Sequence, residues 1–294
     1  MSGGPTRSRP DAGRDRSRPP APEPLPHPVV DNHCHLDIAT GTDDEDWLPT
    51  EDAVAQATAV GVPRIVQIGC DLAGAQWAVE AAASQPALVA GVALHPNEAP
   101  GHAAAGTLDS ALARIEALAA SSHHVRAVGE TGLDYFRTGE DGRAAQHESF
   151  RAHIELAKRL DKTLVVHDRD AHDDVLRILD EEGLPERVVL HCFSGDAEFA
   201  RRCLDRNAWL SFAGTVTFKN AESVRSALAV APEDKVLVET DAPYLAPSPH
   251  RGRPNASYLV PLTMRTMAHV RQTDLERLCA SVEANTFAAY GGAW

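Results

Sequence analysis

The chain has 294 residues, 43% of them hydrophobic, and a formal net charge of −14. That length suits one large α/β domain. The acidic balance counts against an extended nucleic-acid groove, though not against a deep site that meets a few phosphates beside divalent cations. Five cysteines (Cys34, Cys70, Cys192, Cys203, Cys279) make an odd set without a CxxC pair, and no secretory segment or apolar run of membrane-spanning length is present. The expectation is a cytoplasmic protein with reduced thiols and no membrane partner.

Residues 1–28 are rich in Pro, Arg, Ser and Gly and nearly free of core-forming side chains, a composition that predicts a disordered tail. From residue 29 to 294 a single domain is expected. Short apolar runs begin there: VVDNHCH, RIVQIGC, ALVAGVAL, VRAVGE, TLVVHD, RVVLHC, AWLSFAG and VLVETD. Most are continuous, as parallel strands buried on both faces require. Helical patterns fall between them, at about 50–60, 73–84, 107–120, 143–161, 170–182, 196–206 and 221–230, with a last helical segment at about 257–290. Eight strand–helix units in strict alternation predict a closed (β/α)8 TIM-type barrel.

Ligand-type residues stand where these strands end: His33 and His35, Glu130, His167, His191 and Asp241, with His95 at an equivalent point. Catalytic groups of such barrels gather at the C-terminal mouth, and imidazole and carboxylate suit Zn, Mn and related cations. His33 and His35 lie two apart and share a face. Cys34 between them turns away toward the helix layer, and Cys192 is the weaker candidate for a ligand. Most of the other histidines, His153 among them, read as solvated or rim residues, with His250 an exception. Four histidines and two carboxylates exceed the needs of one open site. The expectation is therefore two divalent cations about 3.5–4 Å apart, bridged by Glu130 and a hydroxide. His33, His35 and Asp241, from neighbouring first and last strands, would hold one, and His167 and His191 the other. Asp241 would accept the proton of the attacking water. Such machinery hydrolyses a phosphoester, amide or lactone equally well.

Taken in order, DNHCHLD, GVALHP, GETGLDY, VVHDRDA, HCFSG and TDAPYLAP…HRGRPN resemble the TatD family of metal-dependent deoxyribonucleases in the amidohydrolase superfamily, across nearly all of residues 29–294. The resemblance implies the same six ligands, Mg²⁺, Mn²⁺ or Zn²⁺ as cofactors, and DNA as substrate, often cleaved 3′ to 5′ from a single strand. HPN in place of the commoner HPH puts Asn97 near the mouth, and Asp168 stands where Ser or Cys is usual. Candidate substrate contacts are His95, Arg169, Lys219, His250 and Arg251, with Arg253 beside them. For Arg169 the competing expectation is a salt bridge to Asp170 or Asp173. Tyr135 and Phe136 could stack a base, against burial in the lid. The rival function is two-metal hydrolysis of a small lactone, amide or phosphoester.

Overall fold

The structure is a computed structural model that describes residues 4–8, 15–40 and 47–294. Eight parallel strands run in sequence order: β1 (Val30–Cys34), β2 (Arg64–Gly69), β3 (Leu88–Val92), β4 (Val125–Asp134), β5 (Thr163–Arg169), β6 (Val188–Leu190), β7 (Trp209–Phe212) and β8 (Val236–Val238). Each pairs with the next. The ring closes just beyond β8, where Cys34 bridges Ala242, the His35 amide donates to the Ala242 carbonyl (2.7 Å) and the Asp241 amide to the His33 carbonyl (2.9 Å). The expected (β/α)8 barrel is thus the observed one.

Alternation along each strand sorts the core into two layers. Val30, Val66, Ile68, Val89, Ala127, Val165, Val189 and Leu237 fill the barrel interior. Their neighbours Ile65, Leu88, Ala90, Val128, Leu164 and Val188 pack under the helices. Fully burying one such Val, Leu or Ile contributes about 1.5–3 kcal/mol. Tyr290 and Trp294 plug the N-terminal end of the barrel: Tyr290 donates to the Asn32 carbonyl, and Arg64 donates to the Trp294 carbonyl (2.6 Å). With that end stoppered, the C-terminal ends of the strands are where a site of this fold belongs.

Around the barrel lie α1 (Thr50–Ala59), α2 (Leu72–Ser84), α3 (Ala99–Ala104), α4 (Leu108–Ala120), α5 (Glu140–Arg159), α6 (His172–Glu182), α7 (Ala197–Leu204), α8 (Glu222–Val230), α9 (Val260–Arg271) and α10 (Leu275–Ala289). Asp71 and Asp196 start α2 and α7 by accepting backbone amides of the first turn, which lets helices begin within a few residues of a strand end. Two differences from expectation stand out. The long last helix is two: Gln272 adopts the left-handed region (φ 51°) and closes α9, and Asp274 caps α10. The short α3 falls outside the expected helical stretches, and it contains two weak helix formers, Pro100 and Gly101.

Residues 15–28 depart from the tail that their composition predicts. They lie against the barrel, with Pro19 and Leu25 buried. Tyr258 donates to the Pro19 carbonyl (2.7 Å), Arg265 to Glu23 (2.9 Å) and Arg253 to Ser17 (2.9 Å). A proline-rich stretch has few amides but a full set of carbonyls, and the barrel's arginines and tyrosine satisfy them. Residues 1–3 and 9–14 of the expected tail lie outside the described residues. Among the described residues, no helix is long and apolar enough to cross a membrane.

Candidate metal centre

Glu130 is the hub. Between the Val128–Leu164 and Thr131–Val166 pairings, β4 spends one residue more than β5, a bulge of the kind that re-aims side chains beside active sites. The bulge turns the buried Glu130 carboxylate toward the histidines, and its two oxygens face different partners. Oε1 lies 3.7 Å from His33 Nε2 and 3.7 Å from His35 Nε2. Oε2 lies 2.6 Å from His191 Nε2, 2.9 Å from His167 Nδ1 and 3.9 Å from His95 Nε2. Barrel closure brings in Asp241, whose Oδ1 is 3.4 Å from His35 Nε2 and 3.9 Å from His33 Nε2. The His33 and His191 rings stack with centroids 4.0 Å apart.

A second layer decides which ring nitrogen each histidine presents. His35 Nδ1 lies 2.9 Å from the Ile68 carbonyl, so it carries the proton and Nε2 points to Asp241. His191 Nδ1 faces Glu239 Oε1 at 3.3 Å, and that oxygen also accepts the Cys192 amide (2.7 Å). His167 Nε2 lies 3.5 Å from Asp134 Oδ2, leaving Nδ1 to Glu130. His95 differs: its Nδ1 accepts the Asn97 amide (3.1 Å), so the neutral ring holds its proton on Nε2 and presents a donor. Three of these partners, Glu239, Asp134 and Asn97, carry no ligand role in the sequence reading. Glu239 had left a signal, since it is a carboxylate inside an otherwise apolar strand run.

The electrostatics follow the pairing. Burial alone would lower the pKa of His35, but the hydrogen bond and charge of Asp241, with Glu130 behind, hold it up at about 9. His191 goes well up against the same burial because Glu130 and Glu239 flank it. Glu130 is driven well down despite its burial by the charge of His191 and by hydrogen bonds from His167 and His191. His95 goes the other way: burial outweighs Glu130 and pushes it down to about 3, which keeps it neutral.

Three sets have donor atoms within 4.8 Å of one another and could hold a cation: His33, His35 and Asp241; His33, Glu130 and His191; and His95, Glu130 and His167. A fourth joins Cys70 to His35 and Glu130. The Cys70 sulfur lies 3.7 Å from His35 Nδ1, the nitrogen already turned to Ile68, and its thiol donates to Glu130 Oε1 (3.2 Å). Cys70 therefore sits behind the ring that points at the cluster. The donor chemistry fits divalent cations. Both ring nitrogens of the buried His33 lack a hydrogen-bond partner, a cost of roughly 1–3 kcal/mol per group that a cation would relieve at Nε2, the nitrogen facing Glu130 and Asp241. Cys34 packs into the helix-side core, as alternation predicts.

The expected rim residues separate into two groups. Arg169 lies with its guanidinium carbon 3.8 Å from the Phe136 ring centroid, and Arg251 lies 4.5 Å from that of Phe218. Lys219 is exposed and His250 half-buried. Arg253 is committed to residues 15–18. Tyr135 is tied down: its hydroxyl donates to Asp174 (2.6 Å) and meets His147. His153 is a correction. Expected as a solvated or rim histidine, it is fully buried on the face of α5 toward the end of β3, where its Nε2 accepts the Leu94 amide (3.1 Å).

A family model described as TatD related DNase matches residues 30–291. The chain belongs to the TatD family. Its TatD relatives include an uncharacterized metal-dependent hydrolase TatD of Mycobacterium tuberculosis, 43% identical over 270 residues that cover 90% of this chain and 99% of that protein. The uncharacterized metal-dependent hydrolase YcfH of Escherichia coli is 38% identical, covering 88% and 94%. The crystal structure of YjjV, a TatD homolog from Escherichia coli, matches with a TM-score of 0.80 at 25% identity, covering 90% of this chain and 98% of that one. A phosphotriesterase homology protein from Escherichia coli, solved with phosphate in its active site, shares the fold at a TM-score of 0.62 and 16% identity. This TatD protein is a metal-dependent hydrolase.

Proposed function

We propose that the protein is a deoxyribonuclease that removes nucleotides from the 3′ end of single-stranded DNA, using two divalent cations held by His33, His35, Glu130, His167, His191 and Asp241. The observation that carries the reading is the division of labour on Glu130. One oxygen faces His33 and His35, the other His167 and His191, as a carboxylate shared between two ions requires. Mg²⁺, Mn²⁺ or Zn²⁺ held there supplies Lewis acidity at the phosphoryl group and at the attacking water.

The chain's own groups do the rest. His95, kept neutral with its proton on Nε2, donates a hydrogen bond to a non-bridging phosphoryl oxygen as charge develops. Asp241, at the edge of the cluster and the more open of the two carboxylates (14% exposed against 5% for Glu130), takes the proton of the water and returns it to the leaving 3′ oxygen. Arg169, Lys219 and Arg251 put positive charge at the approach of a chain that is acidic as a whole, and His250 offers a neutral ring beside them. The family's description as DNases supports a nucleic-acid substrate, and five free cysteines support a cytoplasmic location.

The net charge of −14 favours the rival, hydrolysis of a small lactone, amide or phosphoester. A 5′-labelled single-stranded oligonucleotide incubated with Mg²⁺, Mn²⁺ or EDTA, beside Asp241→Asn, separates the two. The nuclease reading expects a metal-dependent ladder shortening from the 3′ end, weakened by salt and absent in the variant. An intact oligonucleotide under every metal refutes it.

A further inference from the structure

Phe136 is 62% exposed, the one large hydrophobic side chain so exposed among the described residues. An isolated surface phenylalanine would need no explanation, but its surroundings do. Tyr135 beside it is locked by Asp174 and His147 and covered by Arg143, whose guanidinium carbon lies 4.2 Å from the ring centroid. The turn that presents Phe136 is pinned by the Arg137 amide on Asp134 Oδ1 (2.9 Å) and the Thr138 amide on the Asp134 carbonyl (3.2 Å). The exposed ring is thus held on a rigid base.

Arg169 backs that ring. The Tyr135 amide donates to the Arg169 carbonyl (2.9 Å), which fixes the two strand ends together. The guanidinium covers one face of Phe136, so the open area is the opposite face and the edges. Asp173, a carboxylate that could have neutralised Arg169, pairs with Arg202 (2.8 Å), and Arg169 forms no ion pair among the described residues. Cation–aromatic pairs at the barrel floor differ, because Arg64 and Arg126 also hold the chain's last carbonyls. The Arg169–Phe136 pair ties down nothing comparable.

Its position is informative. His167 and Arg169 are two apart on β5 and share a face, about 6.6 Å along the strand. Asp134, two residues before Phe136, touches His167. An unneutralised guanidinium and an open aromatic face therefore stand one short step outside the metal cluster. A ligand that offers an anionic group and a flat ring one unit from a scissile phosphoester is a nucleotide, and only an unpaired base has a free face to give.

We propose that Phe136, backed by Arg169, is the stacking platform for an unpaired base next to the scissile phosphate, with Arg169 also meeting the flanking phosphate. This rests on the nuclease reading above and would give that enzyme its preference for single strands. Cation–π contact polarises the ring, and base–aromatic stacking is tolerant of sequence.

The test compares wild type, Phe136→Ala and Phe136→Trp on oligothymidylate and on the same strand made abasic near its 3′ end. Phe136→Ala should raise KM for oligothymidylate about 5- to 150-fold, the span of one lost base stack, with kcat little changed. Phe136→Trp should restore it. On the abasic strand, wild type and Phe136→Ala should be equal. A Phe136→Ala enzyme as good as wild type on oligothymidylate, or equally impaired on both strands, overturns the platform and leaves the nuclease reading standing. A wild type that cleaves neither strand overturns the nuclease reading. The platform is then decided by fluorescence anisotropy of labelled oligothymidylate, where equal Kd for wild type and Phe136→Ala, or no binding by either, overturns it.

Discussion

His153 gives the fold an acid-sensitive joint whose size can be worked out. Its Nδ1 lies 2.6 Å from the Ser149 carbonyl and its Nε2 accepts the Leu94 amide, so the pocket accepts only the neutral ring. Burial, only partly opposed by the Ser149 carbonyl, pushes its pKa down to about 4, whereas an unfolded histidine titrates near 6.5. Between those values the unfolded chain binds more protons, so stability is full above about pH 6.5 and is lost as pH falls toward 4. The linkage relation gives about 2 kcal/mol lost at pH 5 and about 3 kcal/mol by pH 4. His153→Leu strands the Leu94 amide and costs roughly 1–3 kcal/mol at neutral pH, but it removes this proton-linked loss. Urea unfolding of both proteins from pH 8 to pH 5 measures the difference, and because other titrating groups are common to both, their contributions cancel. The curves should converge by about 2 kcal/mol at pH 5. Parallel curves would refute the assignment of a buried neutral His153.

Glu239→Gln keeps the shape that receives the Cys192 amide but removes the charge facing His191 Nδ1. Loss of such an orienting carboxylate should weaken Mn²⁺ binding about 10- to 100-fold, read by titration calorimetry, and an unchanged affinity would sink its role. Gly132 stands opposite His167 with φ 140°, and an added Cβ would strike the His167 carbonyl. Gly132→Ala should cost about 1–3 kcal/mol by overpacking and reduce bound metal as β4 and β5 part; a wild-type Tm and metal content would contradict this. With its pKa raised to about 9, His35 is protonated at pH 7 in cation-free protein, so cation binding must displace a proton. Apparent affinity should rise with pH up to about 9, and calorimetry in buffers of different ionisation enthalpy should show proton release. Heats independent of buffer would exclude it.

Much of this was legible in the residues because strand ends and ligand chemistry are local signals. Apolar runs, most of them continuous, marked all eight strands, and an imidazole or carboxylate closing such a run has few structural reasons to be there. Groups that act through space were harder to see. Asp134 meets His167 and the Asn97 side chain only once β3, β4 and β5 are side by side, and the bulge that turns Glu130 inward depends on the register of β5. His153 did leave a trace: it shares the helical face of Phe150, Ile154 and Ala157. Residues 15–28 were misjudged because composition counts apolar side chains, whereas their order depends on carbonyls that the barrel's arginines satisfy.

The seam between β1 and the segment after β8 has a consequence for how the enzyme comes into being. His33 and His35 leave the ribosome early, yet Asp241 and the Ala242 bridge that completes their site come some two hundred residues later. Without that later segment the ring has no closing bridge, the cluster lacks one carboxylate and the floor formed by Tyr290 and Trp294 is missing. A chain that stops short of Asp241 therefore holds most of the cluster's histidines and Glu130 but not the closed seam that sets them against their last carboxylate.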